Sequence, residues 1–242
     1  MVYEIAGLRV LLENQCSFTD KFCRAYLAEN QTLPVDVAAK VTIEDMEAER
    51  AVSPQFSDGY IENICLYRNL CLQLPALNRM LLHAAVLEYD GNGYAFLGRS
   101  GAGKSTHTGL WLEHVGGKIV NGDKPILSFT ETDVLAYGTP WMGKEGRGCN
   151  ECVPLKALCF IEQAKENKIV RLTASQLSTR LFSQVLLPTE YDAAARTLEL
   201  TDLLIQRVPA YVLYCDISQE AVKTSFEALT GKPYPNDGIG EK

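Results

Sequence analysis

The sequence predicts an α/β fold, a mixed β-sheet core preceded by an N-terminal α+β extension. Three observations carry that reading. Helical and strand periods interleave along the whole chain, a glycine-rich loop stands between an apolar strand and a helical stretch, and 242 residues at 47% hydrophobic and 22% charged have the composition of a globular protein.

Residues 3–12 and 35–42 alternate or run apolar with β-branched side chains and read as strands. Between them, Phe18, Phe22, Tyr26 and Leu27 fall at helical spacing over 18–29. A second helix spans 58–74, with Ile61, Ile64, Cys65, Tyr67, Leu70 and Cys71 on one broad stripe and Pro75 ending it. Residues 81–89 and 94–97 are apolar strands joined by Asp90-Gly91-Asn92-Gly93, which carries two common hairpin turn signals. A helix follows over 104–113, closed by Gly116-Gly117, and a short strand over 118–120 ends in Asn121-Gly122-Asp123. After a turn-rich stretch to Asn150, residues 155–161 read as a central strand, 174–185 and 191–206 as helices, and 210–215 as a last strand. Pro, Asn, Asp and Gly mark 233–242 as a frayed tail. The chain thus divides into an extension over 1–78, a core over 79–232 and the tail, with no internal repeat.

Charge and composition exclude several roles. Lys and Arg number 23 against 30 Asp and Glu, a formal charge of −7, and no two basic residues are adjacent. A groove that tracks nucleic-acid phosphates needs clustered cations, so no nucleic-acid partner is expected. No window approaches the roughly 18 apolar residues of a membrane span, and the N-terminus has no basic-then-apolar leader, so a cytoplasmic protein without a membrane partner is expected. The eight cysteines are irregularly spaced and mostly lie in apolar runs, which reads as buried free thiols. Cys149 and Cys152 have metal or redox spacing but no second pair, and His83, His107 and His114 do not complete a zinc set. Glu44, Asp45, Glu47, Glu49 and Arg50 read as a solvated helix surface. A homo-oligomer is compatible with the composition.

The strongest chemical signal is Gly98-Arg99-Ser100-Gly101-Ala102-Gly103-Lys104-Ser105-Thr106, which fits G-x-x-x-x-G-K-[ST] between a strand and a helix. Glycines permit positive φ and turn backbone N–H groups inward, so the loop and the helix N-terminus form a positive nest for a phosphate. Gly98, Ser100, Gly101, Ala102 and Gly103 supply that nest. Lys104 adds a point charge for the β and γ oxygens of a nucleotide, and Ser105 a hydroxyl for Mg²⁺. Thr106 continues the hydroxyl run and reads more readily as a helix-packing residue. A carboxylate at the end of a neighbouring parallel strand would complete the metal site, and Asp123 is the candidate, against its alternative as a turn Asp in Asn-Gly-Asp. ATP and Mg²⁺ are therefore the expected cofactors.

The segment Leu82-His83-Ala84-Ala85, the turn Asp90-Gly91, the loop over 98–106 and the stretch from Gly116 to Asp123 together resemble the HPr kinase/phosphorylase-like family, one of the phosphoenolpyruvate carboxykinase-like P-loop kinases. The likeness covers roughly residues 80–165 in motifs and the rest in element order. It implies a hairpin leading into the loop, with His83 at a family position, and a kinase acting on a hydroxyl of a peptide or protein serine or of a small alcohol. The chain departs from the family at its adjacent aspartates. They would fall on positions 122 and 123, and Gly122 leaves only the second. His83 is then read two ways, as the replacement base or phosphate ligand and as a packed histidine at a strand start.

Residues 137–148 interleave Gly138, Gly143, Gly146 and Gly148 with Trp141, Lys144, Glu145 and Arg147, as suits a mobile flap over phosphates, against its alternative as a long solvated turn with an anchored Trp. Lys144 and Arg147 would neutralise transition-state charge, Glu145 would act as base, and Trp141 would cover a substrate ring. Lys124 is open between phosphate and solvent. Trp111 reads as helix core. The competing function is a nucleotide-binding module without turnover that docks a partner protein or peptide, which Gly122 favours. A carboxykinase-like reaction ranks last for want of further metal ligands.

Overall fold

The computed structural model describes residues 1–235. It opens with strands β1 (Val2–Ile5) and β2 (Leu8–Glu13), turned at Ala6 and Gly7, both at positive φ, so the apolar run over 3–12 is a hairpin and not one strand. The reading of 18–29 as one helix shortens to α1 (Ser17–Phe22) followed by a 3₁₀ turn over Arg24–Tyr26. Strand β3 (Val37–Lys40) adds in parallel to β2, giving a three-stranded sheet. Helices α2 (Ile43–Val52) and α3 (Asp58–Gln73) follow, capped by Thr42 and Ser57. Glu49 on α2 is not solvated as expected. It is buried and paired with Arg68, while Glu44, Glu47 and Arg50 are exposed and Asp45 is half-buried.

The expected strand over 81–89 is broken. Strand β4 (Arg79–Leu81) pairs with β8 (Ile126–Phe129), whereas β5 (Ala85–Tyr89) pairs with β6 (Asn92–Leu97). Leu82, His83 and Ala84 make the crossing, their N–H groups donating to the carbonyls of Pro125, Gln184 and Asp123. The β5–β6 turn is at Asp90 and Gly91, both at positive φ, as the sequence predicts. Then come α4 (Lys104–His114), β7 (Lys118–Asn121), β9 (Val134–Tyr137), the long β10 (Cys152–Gln163), β11 (Lys168–Arg171), α5 (Ala174–Leu181), α6 (Tyr191–Arg207), β12 (Ala210–Cys215) and α7 (Gln219–Thr230). The order β4-β8-β9-β10-β6-β5-β7 runs across the main sheet, and β12 pairs with β10 and β11. Strands β8, β9 and β11 and helix α7 were not anticipated. The frayed tail expected over 233–242 lies outside the described residues from 236 onward.

Both faces of this sheet are covered, which is why its strands read as nearly unbroken apolar runs. Period-2 alternation assigns the side chains. Tyr94, Phe96, Ala157, Cys159, Ile161, Leu213 and Cys215 pack with α4 and α7, and Ala95, Leu97, Leu158, Phe160 and Val212 pack with α5 and α6. Trp111 is fully buried, as read, and its indole donates to Ser225 Oγ at 2.9 Å. A third apolar cluster joins β1–β3 and α3 to Leu81, Ile126 and Trp141, so the extension shares a core with the main sheet.

Beside Trp111, His107 Nε2 lies 2.9 Å from the same Ser225 Oγ. Burial holds this imidazole down to about 4, against 6.5 for a free ring. Between those values the unfolded chain binds a proton that the folded ring does not, so stability falls as pH drops through that window. The total is on the order of 3 kcal/mol. Denaturant unfolding at pH 7 and pH 4.5 should show a smaller loss for His107→Gln than for the wild type; equal losses would refute the assignment.

Candidate functional site

The loop over 98–103 adopts the conformation its glycines permit. Gly98, Gly101 and Gly103 have φ of 146°, 79° and 105°. A Cβ at Gly98 would stand 3.0 Å from Ala102 Cβ and 3.2 Å from Ile161 O, so β10 leaves room there for glycine alone. Gly103 caps α4 without a side chain, whereas Thr42, Ser57, Thr173, Glu190 and Ser218 each accept from a first-turn N–H group of α2, α3, α5, α6 and α7. The first-turn N–H groups of α4 are therefore left to an anion. Lys104 is buried and folds back, its Nζ donating to Gly98 O at 2.9 Å and Arg99 O at 3.4 Å. Burial pushes its ammonium below its ordinary value, and Asp123 offsets part of that.

Asp123 reaches this cleft by a route the sequence did not predict. Strand β7 is not a neighbour of β6. It pairs antiparallel with β5, which pairs antiparallel with β6, so β7 runs in the same direction as β6 with one strand between. Two antiparallel steps restore the parallel sense, and Asp123 still emerges at the same sheet end as the loop. His83, Ser100, Gly101, Gly103, Lys104, Ser105, Thr106, Gly122 and Asp123 line one cleft of about 390 Å³. Thr106 is exposed on this wall and does not pack the helix.

Asp123 Oδ1 lies 3.1 Å from His83 Nε2 and its Oδ2 2.9 Å from Lys124 Nζ. Burial works to raise its pKa, but the hydrogen bonds from His83 and Lys124 and the charge of Lys124 outweigh it and hold the carboxyl at about 2. An ionised carboxylate only accepts, so His83 donates from Nε2 and keeps Nδ1 as its basic nitrogen. His83 is thus neither buried nor merely packed, and Lys124 pairs with Asp123. Ser105 and Asp123 are oxygen donors, one hydroxyl and one ionised carboxylate on the same cleft, and that set fits a Mg²⁺ ion.

Asn121 positions Asp123, a role the turn reading missed. Fully buried, it accepts from the N–H groups of Asp123 and Lys124 at 2.9 and 2.7 Å and donates to Thr139 O and Oγ1. The Asn-Gly-Asp signature that marks a turn is here an Asx turn, and its signal was present in the sequence.

The segment over 137–148 is tethered where a mobile flap was expected. Gly138 N–H donates to Glu151 O, Cys149 N–H to Val120 O and Gly122 N–H to Arg147 O, leaving residues 143–147 as its exposed tip. Met142, Gly143, Lys144 and Glu145 from it line the cleft. Trp141 does not cover a substrate ring. It is buried against Tyr67, with its indole donating to Asn63 Oδ1 at 3.0 Å. Arg147 does not line the cleft either; its side chain is exposed and its carbonyl holds Gly122. Trp141 is corrected from a substrate residue to a structural one because Asn63 and Tyr67 bury it outside the cleft, and Arg147 stands outside the cleft lining that was expected to include it.

All eight cysteines are free. Cys23, Cys65, Cys71, Cys159 and Cys215 are buried, Cys16 and Cys149 half-buried and Cys152 exposed. No helix among the described residues is long and apolar enough to cross a membrane. No family model and no curated protein matches the chain. Among solved structures, the Hpr(Ser) kinase/phosphatase from Coxiella burnetii is similar over 62% of this chain and 93% of its own, at 12% identity and a TM-score of 0.34.

Proposed function

We propose that the protein is an ATP- and Mg²⁺-dependent kinase of the HPr kinase/phosphorylase-like type, transferring a γ-phosphoryl group to a hydroxyl of a peptide or protein serine or of a small alcohol. The observation that carries this reading is the convergence of Lys104, Ser105, Asp123 and His83 on one cleft with the open N-terminus of α4. Loop amides and Lys104 bind the phosphates, and Lys104 swings from the Gly98 and Arg99 carbonyls to do so. Ser105 and Asp123 would hold Mg²⁺, which neutralises charge on the β and γ oxygens when bound. The acceptor oxygen bonds to the γ phosphorus as the bond to the leaving diphosphate breaks, and the hydroxyl proton passes to His83, whose cation Asp123 then stabilises. Lys144 and Glu145 close the outer wall.

A second reading rests on Gly122. A Cβ there would stand 2.7 Å from Met142 O, so backbone occupies the position where the resembling family carries its first aspartate. That favours a nucleotide-binding module that docks a partner without turnover. Incubation with Mg²⁺ and γ-labelled ATP in a cell extract separates the two. Label on one small molecule or one polypeptide is the expected result and names the acceptor class; label retained on bound ATP would favour the docking module.

A further inference from the structure

A cavity of about 650 Å³, larger than the phosphate cleft, opens on the other flank of the loop, between the end of β10 and helix α5 with the turn that follows it. Its volume lies within the usual range for small-molecule sites. It shares Ser100 and Gly101 with the phosphate cleft, and the backbone carbonyl of Gln184, one of its wall residues, accepts from the His83 N–H at 2.7 Å. The two cavities therefore meet over the loop, next to the proposed base. The ionisable residues of the wall are Arg99, Arg180 and Glu162, a net charge of one positive in a chain whose formal charge is −7. Arg180 lies 5.7 Å from the centre of the Phe160 ring and donates to Glu162 through Nη1, the only hydrogen bond of its guanidinium among the described residues, where the Arg99 guanidinium makes none. Each guanidinium carries five N–H donors, so most of that capacity is unused. Gln184 adds an unmet acceptor. The residue is only 6% exposed, and its Oε1 has no partner among the described residues. Buried oxygens of this kind are normally paired, and a donor held in the cavity would complete it.

We infer that this cavity seats the phosphoryl acceptor and that the acceptor is a small hydroxy acid, its carboxylate held by Arg99 and Arg180. The inference rests on the kinase reading and narrows its acceptor to one chemical class. A planar guanidinium pairs with a carboxylate through two parallel N–H donors. One net positive charge on the wall balances one carboxylate. Thr179, Ser183 and Gln184 supply partners for hydroxyls. With the acceptor seated over Ser100 and Gly101, its hydroxyl oxygen bonds to the γ phosphorus, the bond to the leaving diphosphate breaks and the hydroxyl proton passes to His83.

The test offers the full chain, with Mg²⁺ and γ-labelled ATP, three fractions of a cell extract. Two are small-molecule pools, treated with alkaline phosphatase and divided on an anion exchanger at neutral pH into an anionic pool and a neutral and cationic pool; the third is the heat-treated macromolecular fraction. Label should enter a compound of the anionic pool. Label entering either other fraction instead, or entering the anionic pool only when phosphatase treatment is omitted, would overturn the inference and spare the kinase. Label remaining on bound ATP throughout would overturn the kinase reading, and the inference with it. Charge variants then read the sign. Arg180→Gln should raise the half-saturating concentration of the acceptor about tenfold or more, as loss of a charge-assisted hydrogen bond does, with ATP affinity unchanged, and Arg180→Lys should recover part of the loss. Glu162→Gln keeps an acceptor for Arg180 and removes the opposing charge, so it should lower that concentration. Both side chains are partly exposed, so the fold tolerates the changes. A rise for Glu162→Gln, or weaker ATP binding by Arg180→Gln with acceptor half-saturation unmoved, would overturn the inference.

Discussion

Asp123→Asn should lower phosphoryl transfer by about 10³-fold, and Lys104→Ala by at least as much, with each variant still folded. The carboxylate meets three demands through one side chain. Held at about 2, it is fully ionised at neutral pH, it fixes the proton of His83 on Nε2, and it stands at the sheet end in the same cleft as Ser105. The amide keeps the shape but loses the charge, and its nitrogen can turn a donor toward the His83 N–H. Lys104 adds the loop's only buried cation. Both positions are local to the cleft, so a thermal melt of each variant should remain within a few degrees of the wild type. Undiminished label transfer from γ-labelled ATP in either variant would refute the site.

Gly122→Asp should destabilise the protein and fail to raise turnover, although it rebuilds an acidic pair on paper. The new Cβ would stand 2.7 Å from Met142 O and 3.3 Å from Arg147 O, and both neighbours are backbone that cannot rotate away. The Gly122 N–H also anchors Arg147 O, so relief of the clash works against a tether of the 137–148 segment. Overpacking of this kind costs about 1–3 kcal/mol, and a chain of this size then melts roughly 2–10 °C lower. A melting temperature equal to the wild type's together with a gain in label transfer would show that the segment yields and that the missing base limits the rate.

The parts of the fold legible in the sequence are those that long periodic runs encode. Helix α3, helix α6 and strand β12 fall within a residue of expectation because helical periods sustained over 16 and 17 residues, or a run covered on both faces, leave little freedom. Strands β8, β9 and β11 have four residues each, too few to show a period against flanking Ser, Thr, Asp and Lys. Helix α7 was missed for a different reason. Ala221, Val222, Ser225, Phe226 and Leu229 do repeat at helical spacing, but Gln, Glu, Lys and Thr between them mask the stripe. The site shows the same division. Loop chemistry and Asp123 follow from local residue order, whereas the burial of Trp141 and the tether of Arg147 depend on Tyr67, Asn63 and Gly122, partners distant in sequence. That β5 stands between β6 and β7 was not legible for the same reason, because strand order is a property of pairing and not of any one strand's pattern.

The placement of the two tryptophans divides the molecule's intrinsic fluorescence between its two sides. Trp111 sits in the aromatic cluster of α4 behind the phosphate loop, and Trp141 sits at the root of the 137–148 segment against α3. Emission from a Trp141→Phe protein therefore reports on helix α4 behind the glycine-rich loop, and emission from a Trp111→Phe protein on the tethered segment at the opposite wall. One chain thus carries two separate optical reporters, one on each wall of the cleft.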